Sequence, residues 1–171
     1  MLIYDPALDP YHSAVRILAI AIAATQRKTE LTVDAARIAD YFLVYPHKLL
    51  GFKFPNEYRT LRTAVKATEN PYRNTYGSRA AFERMRPIFF AALSGLVGAK
   101  LIDVEALKRG ILSIIPSSSI PDPLAAAVSR FRDRQTEVGN FVLSELLGLP
   151  ANGENGLKHR SGLIEYRYDL A

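Results

Sequence analysis

The stretch Asp9-Pro10-Tyr11-His12-Ser13-Ala14-Val15-Arg16-Ile17-Leu18-Ala19-Ile20-Ala21-Ile22-Ala23-Ala24-Thr25-Gln26 decides the architecture. Asp9 offers an acceptor to the first unbonded amides of a helix, and Pro10 presets φ at its first position. No breaker follows through Gln26, so the spacing predicts a helix over these residues. Residues 17–24 are apolar on every side, and a helix of that kind belongs in the middle of a core. The same eight residues form the longest apolar run in the chain, against the roughly 20 that a bilayer requires. No membrane span is expected.

Outward from this helix, Thr32 caps a second one that runs to Val44 or Tyr45 and stops at Pro46. Its polar stripe, Asp34, Arg37 and Asp40, alternates in sign at a spacing that allows local ion pairs. Val33, Ala36, Ile38, Tyr41, Phe42 and Tyr45 are expected to be buried. Asn56 opens a third helix, ended by Asn70-Pro71, that turns Leu61, Ala64 and Val65 inward and lines up Arg59, Arg62 and Lys66 on another face. Ser78 caps a fourth, which Pro87 kinks or splits, and Gly98 supplies a left-handed stop.

Leu101-Ile102 and Ile111-Leu112-Ser113-Ile114-Ile115 then read as two β-prone runs around a turn region. A hairpin is expected, with one helical turn over residues 104–109 as the other option. Helix, glycine stop and hairpin follow one another in the order of a winged helix. Asp122-Pro123 repeats the opening device of Asp9-Pro10, and the helix it starts runs to Leu147, about 40 Å. Asn152-Gly153-Glu154-Asn155-Gly156 reads as a flexible connector. Leu163-Ile164-Glu165-Tyr166-Arg167-Tyr168 alternates charge with apolar side chains, as a half-buried strand does. The expected fold is mainly α with a small β element (α+β): a single domain over 1–171, with a winged-helix-like core over 1–115, a long helix over 122–148 and an extended tail or strand over 151–171.

A chain of 171 residues, 49% hydrophobic, supports one core. The absence of cysteine excludes a disulfide framework and thiolate metal sites, which fits a reducing compartment. The opening Met1-Leu2-Ile3-Tyr4-Asp5-Pro6 has no basic lead, and Arg16 interrupts the one candidate signal core, so a cytoplasmic protein is expected.

No catalytic apparatus stands out, and neither cofactor nor metal is expected. His12, His47 and His159 are isolated, without the spacing that puts two imidazoles on one metal. Gly95-Leu96-Val97-Gly98-Ala99-Lys100 lacks the spacing and the hydroxyl of a phosphate-binding loop. Ser117-Ser118-Ser119 lies between prolines, without the strained elbow that exposes a nucleophile. Asp103, Glu105 and Lys108 lack the spacing of a metal-dependent nuclease. Tyr72 and Tyr76 read more simply as loop tyrosines than as a DNA-cleaving centre.

Charge is the stronger signal. Residues 48–100 carry ten Lys and Arg against three acids, a net +7 that leaves the rest of the chain at −2. Eleven of the seventeen aromatic residues fall between Tyr41 and Phe90, among these cations. Such a mixture suits single-stranded nucleic acid or a protein hot spot, while solvated helix surfaces account for the charges equally well. The candidate nucleic-acid or partner-binding residues are Lys53, Arg59, Arg62, Lys66, Arg73 and Arg79. Phe42, Phe82, Phe89 and Phe90 are expected in the core, and Phe52, Phe54, Tyr58, Tyr72 and Tyr76 at the surface.

Three segments carry a resemblance: Tyr4-Asp5-Pro6-Ala7-Leu8-Asp9-Pro10-Tyr11-His12, Arg37-Ile38-Ala39-Asp40-Tyr41-Phe42-Leu43-Val44-Tyr45-Pro46-His47, and Gly156-Leu157-Lys158-His159-Arg160-Ser161-Gly162-Leu163-Ile164-Glu165-Tyr166-Arg167-Tyr168-Asp169. Together they resemble the middle component family of bacterial ABC three-component systems, related to the Lamassu type of antiviral defence. The resemblance implies a non-enzymatic adaptor between an SMC-like ATPase and an effector protein, and it supplies no catalytic residues. It draws attention to the tail residues Lys158, Arg160, Glu165 and Arg167 as partner-binding candidates; an edge strand whose charges discourage aggregation is the plainer reading. A winged-helix DNA-binding protein or regulator is the alternative function, with DNA as partner through Arg59, Arg62 and Lys66. Oligomeric state, including a homodimer, is left open.

Overall fold

The computed structural model describes residues 5–70, 77–116 and 119–165. Its helices are α1 (Pro10–Gln26), α2 (Val33–Val44), α3 (Leu61–Lys66), α4 (Ser78–Gly98), α5 (Val104–Lys108), α6 (Asp122–Asp133), α7 (Glu137–Leu143) and α8 (Leu157–Ser161). Short 3-10 turns at Pro6–Leu8, Pro46–Gly51, Asn56–Tyr58 and Leu146–Gly148 join them. Among the described residues no helix is long and apolar enough to cross a membrane.

The capping logic of the sequence is realised locally. Asp9 accepts from the amides of Tyr11 and His12, and Thr32 from that of Ala35, so each satisfies first-turn donors that have no carbonyl partner. α1 lies at the centre: Ile17, Leu18, Ala19 and Ile20 are fully buried, and α4, α6 and α2 pack around it. One continuous apolar cluster runs from Ala7 to Leu163, so the C-terminal segments share the core of the N-terminal ones.

α2 is buried on nearly all sides, and its polar stripe follows it inward. The local ion pairs expected within the stripe do not form, because each member is taken by another element. Asp40 is bound by Arg16 Nε of α1, with both side chains at most 4% exposed. Arg37 pairs with Glu83 of α4 at 3.5 Å and lies over the Phe82 ring at 4.4 Å. Asp34 is held by Lys158 of α8 at 2.9 Å. Burial pushes the Asp40 carboxyl above its ordinary range, against the opposing pull of Arg16.

An aromatic chain continues from α2. Tyr41 contacts Phe42 and Phe82, Phe42 meets Phe52, Phe52 meets Phe54, and Phe54 and Tyr58 close on Phe141 of α7. Phe52 and Phe54 are therefore core residues, 1% and 8% exposed, and not the surface aromatics expected from their basic surroundings. Phe90 corrects the reading in the other direction, since it is 39% exposed on the outer side of α4. Tyr72 and Tyr76 lie outside the described residues.

Burial raises the Tyr41 phenol to about 12. The folded protein then keeps a proton that the unfolded chain releases near pH 10, so stability is intact below that pH and is lost as pH rises toward 12. The expected loss is roughly 2–3 kcal/mol. Tyr41→Phe should flatten this alkaline decline, measured as the urea midpoint between pH 9 and 12; an unchanged slope would place the titration elsewhere.

Four further expectations are corrected. Residues 101–115 do not form a two-stranded wing: α5 fills the connection, and what remains is one antiparallel bridge between Ile102 and Ile114, with another between Thr32 and Ile111. Asp103 explains the helix, since its side chain accepts from the amides of Glu105 and Ala106. The left-handed stop after α4 falls on Lys100, with φ of 59°, and Gly98 stays inside a helix that Pro87 does not split.

The helix expected over 122–148 is broken between Asp133 and Glu137. Thr136 is extended and caps α7 by accepting from the Gly139 amide. Gln135 folds back so that its amide nitrogen donates to the Phe131 carbonyl at 2.8 Å. Gly139 leaves space for that fold, as a Cβ there would lie 2.1 Å from Gln135 Oε1. The break lets α7 turn Val138, Phe141 and Val142 into the core. Finally, Leu163, Ile164 and Glu165 are not in a strand, and Tyr166, Arg167 and Tyr168 lie outside the described residues.

Candidate binding surface at the α8 junction

The segment before α8 is not a loose connector. The amides of Leu157 and Lys158 donate to the carbonyls of Pro150 and Ala151, and the Gly156 amide donates to Gly153. Gly156 allows this close approach, because a Cβ there would stand 2.2 Å from the Asn152 carbonyl oxygen and 2.9 Å from that of Pro150. Both contacts are with backbone, which cannot step aside cheaply. Gly156→Ala is expected to displace α8 and lower stability by about 1–3 kcal/mol. A melting temperature equal to that of the parent chain would contradict this.

The turn fixes three consecutive polar residues. Lys158 points down onto Asp34 and is only 7% exposed, so its charge is spent in anchoring α8 to α2. His159 Nε2 lies 3.0 Å from Lys53 Nζ, within hydrogen-bond distance. Arg160 clasps the backbone on two sides, donating from Nε to Asn155 O at 2.6 Å and from Nη1 to Lys53 O at 2.7 Å. The Lys53 amide returns a bond to the Arg160 carbonyl at 2.9 Å. Gly162, left-handed at φ 65°, ends α8 and sends the chain toward Arg79, where Glu165 Oε1 stands 3.3 Å from Nη2.

These contacts join two groups that are more than 70 residues apart in sequence. Lys53 and Arg79 from the basic middle, with Lys158, His159 and Glu165 from the tail, line one open cavity of about 340 Å³. Arg160 braces it from behind through Lys53. His159 and Asp34 were missed as site residues from sequence. The Lys158-His159-Arg160 triplet directly after Gly156 was the available signal for the first; for Asp34 there was none, because its partner is 124 positions away.

The remaining candidates fall elsewhere. Arg59 and Lys66 are exposed near the two ends of α3, and Arg62 Nη2 donates to Leu50 O at 3.1 Å. α3 itself has only six residues, short for a helix that would fill a DNA groove. Arg73 and Arg167 lie outside the described residues. A larger cavity of about 720 Å³ opens between α1, α6 and α7, where Arg27, Arg132 and Asp133 stand among apolar and neutral polar residues. Among the described residues no group of three or more His, Asp or Glu side chains is placed to hold a metal ion.

A search of curated proteins and a search of solved structures give no match. The family model described as ABC-three component (ABC-3C) system Middle Component 5 matches residues 2–169, nearly the whole chain. The chain therefore belongs to the Middle Component 5 family of ABC-three component systems.

Proposed function

We propose that this chain is a non-catalytic adaptor that joins the ATPase of its ABC three-component system to an effector. The ATPase is taken as SMC-like and the system as an antiviral one of Lamassu type, acting in the cytoplasm. The observation that carries the reading is the convergence of Lys53 and Arg79 with Lys158 and His159 on one cavity at the α8 junction, braced by Arg160 through the Lys53 carbonyl, in a member of a middle component family. A cationic surface built by tertiary contacts and braced by backbone bonds is what an acidic partner face would meet.

Co-expression with the genes that neighbour its own tests this. The chain is expected to co-purify with the ATPase, and Lys53→Glu plus Arg79→Glu to reduce capture at least tenfold, as reversal of charges at an interface does. A stable chain that binds neither neighbouring product would dismiss the reading. Capture unaffected by the double reversal but lost on Arg59→Glu plus Arg62→Glu would move the interface to α3.

A further inference from the structure

The cavity at the α8 junction already holds a carboxylate. Glu165 reaches Arg79 from a segment that is neither helix nor strand, and the two side chains are 55% and 60% exposed. So exposed a pair is weakly held, and an external acid can replace one member. The other walls favour that exchange: the Lys53 ammonium stands beside the His159 imidazole, and Gly162 and Ile164 add no opposing charge. Lys158 is answered from beneath by Asp34. With Glu165 withdrawn, Lys53 and Arg79 both face the cavity, and the bonds between the Lys53 and Arg160 backbones fix the position of that wall before a ligand arrives.

We propose that this cavity receives an acidic side chain from an extended peptide segment of a partner protein, and that Glu165 is an internal stand-in which the partner's carboxylate displaces from Arg79. A peptide fits better than nucleic acid. The resident group is a carboxylate on irregular chain, and two available cations in a recess are fewer than a phosphate backbone, which binds along a stripe of many charges, would engage. The inference rests on the adaptor reading for the identity of the partner alone.

The test is fluorescence anisotropy of a labelled hexaglutamate peptide with the full chain at low ionic strength, with inorganic phosphate and duplex DNA as competitors. Glu165→Gln removes the internal competitor and is expected to tighten peptide binding about two- to fivefold. Arg79→Gln and Lys53→Gln are each expected to weaken it about tenfold. All three side chains are exposed, and unchanged melting curves would show that the fold persists. Peptide binding that Glu165→Gln leaves unchanged or weakens overturns the proposal, as does displacement of the peptide by phosphate or DNA at lower concentration than by unlabelled peptide. An ATPase that co-purifies while the peptide ignores these variants leaves the adaptor reading standing and removes this one. Peptide binding as expected, without capture of the ATPase, does the reverse.

Discussion

Asp40→Leu is expected to destabilise the protein by about 3–5 kcal/mol, a large share of the stability of a single domain. Arg16 and Asp40 are 4% and 1% exposed and join α1 to α2 at the centre of the molecule. Removal of the carboxylate strands a guanidinium that, among the described residues, has one other bond, from Nη1 to the Pro6 carbonyl at 3.1 Å. The cost is that of an uncompensated charge and not the net worth of the pair. Arg16→Met combined with Asp40→Leu should therefore recover most of the loss, because the site would then be apolar throughout. Urea midpoints of the four proteins form a double-mutant cycle, and the expected coupling is several kcal/mol. Additive single effects would mean that the two charges are solvated independently.

Phe52→Ala should cost a comparable amount, about 3–5 kcal/mol. The ring is 1% exposed and stands edge-on to both Phe42 and Phe54, so it bridges α2 to the aromatic group that reaches α7. Phe52→Leu keeps most of the volume and should cost under about 1.5 kcal/mol. The residue is also adjacent to Lys53, whose backbone pairs with Arg160. Phe52→Ala should thus loosen the α8 cavity, seen as weaker binding of an acidic peptide at temperatures where the variant is still folded. An alanine variant as stable as the parent would show that the aromatic chain is not continuous in solution.

Both residues mark where the sequence was legible and where it was not. The caps at Asp9 and Thr32, the all-apolar face of α1 and the stop at Pro46 are local signals, and a local signal is complete within a few residues. The break at Gln135-Thr136 was missed although it is also local, because a Thr followed by a Glu continues an amphipathic pattern as readily as it restarts one. Phe52 and Phe54 were read as surface residues because Lys53 lies between them; alternate burial on an irregular segment has no period to announce it. The stripe Asp34, Arg37, Asp40 was recognised, but its meaning was not. Three polar residues on an otherwise buried helix stand for three tertiary partners, and no spacing identifies Arg16, Glu83 and Lys158 as those partners. The candidate site shares this property. Its residues were named in two separate groups, and the bonds between Lys53 and Arg160 and between Arg79 and Glu165 show that they are one surface.

Amide hydrogen exchange of the chain, alone and in complex with the ATPase of its system, addresses that surface most directly. The account predicts added protection in residues 157–165 and around Lys53, and little change along α6. Protection confined to α6 and the groove it shares with α1, with α8 exchanging as in the free chain, would contradict it.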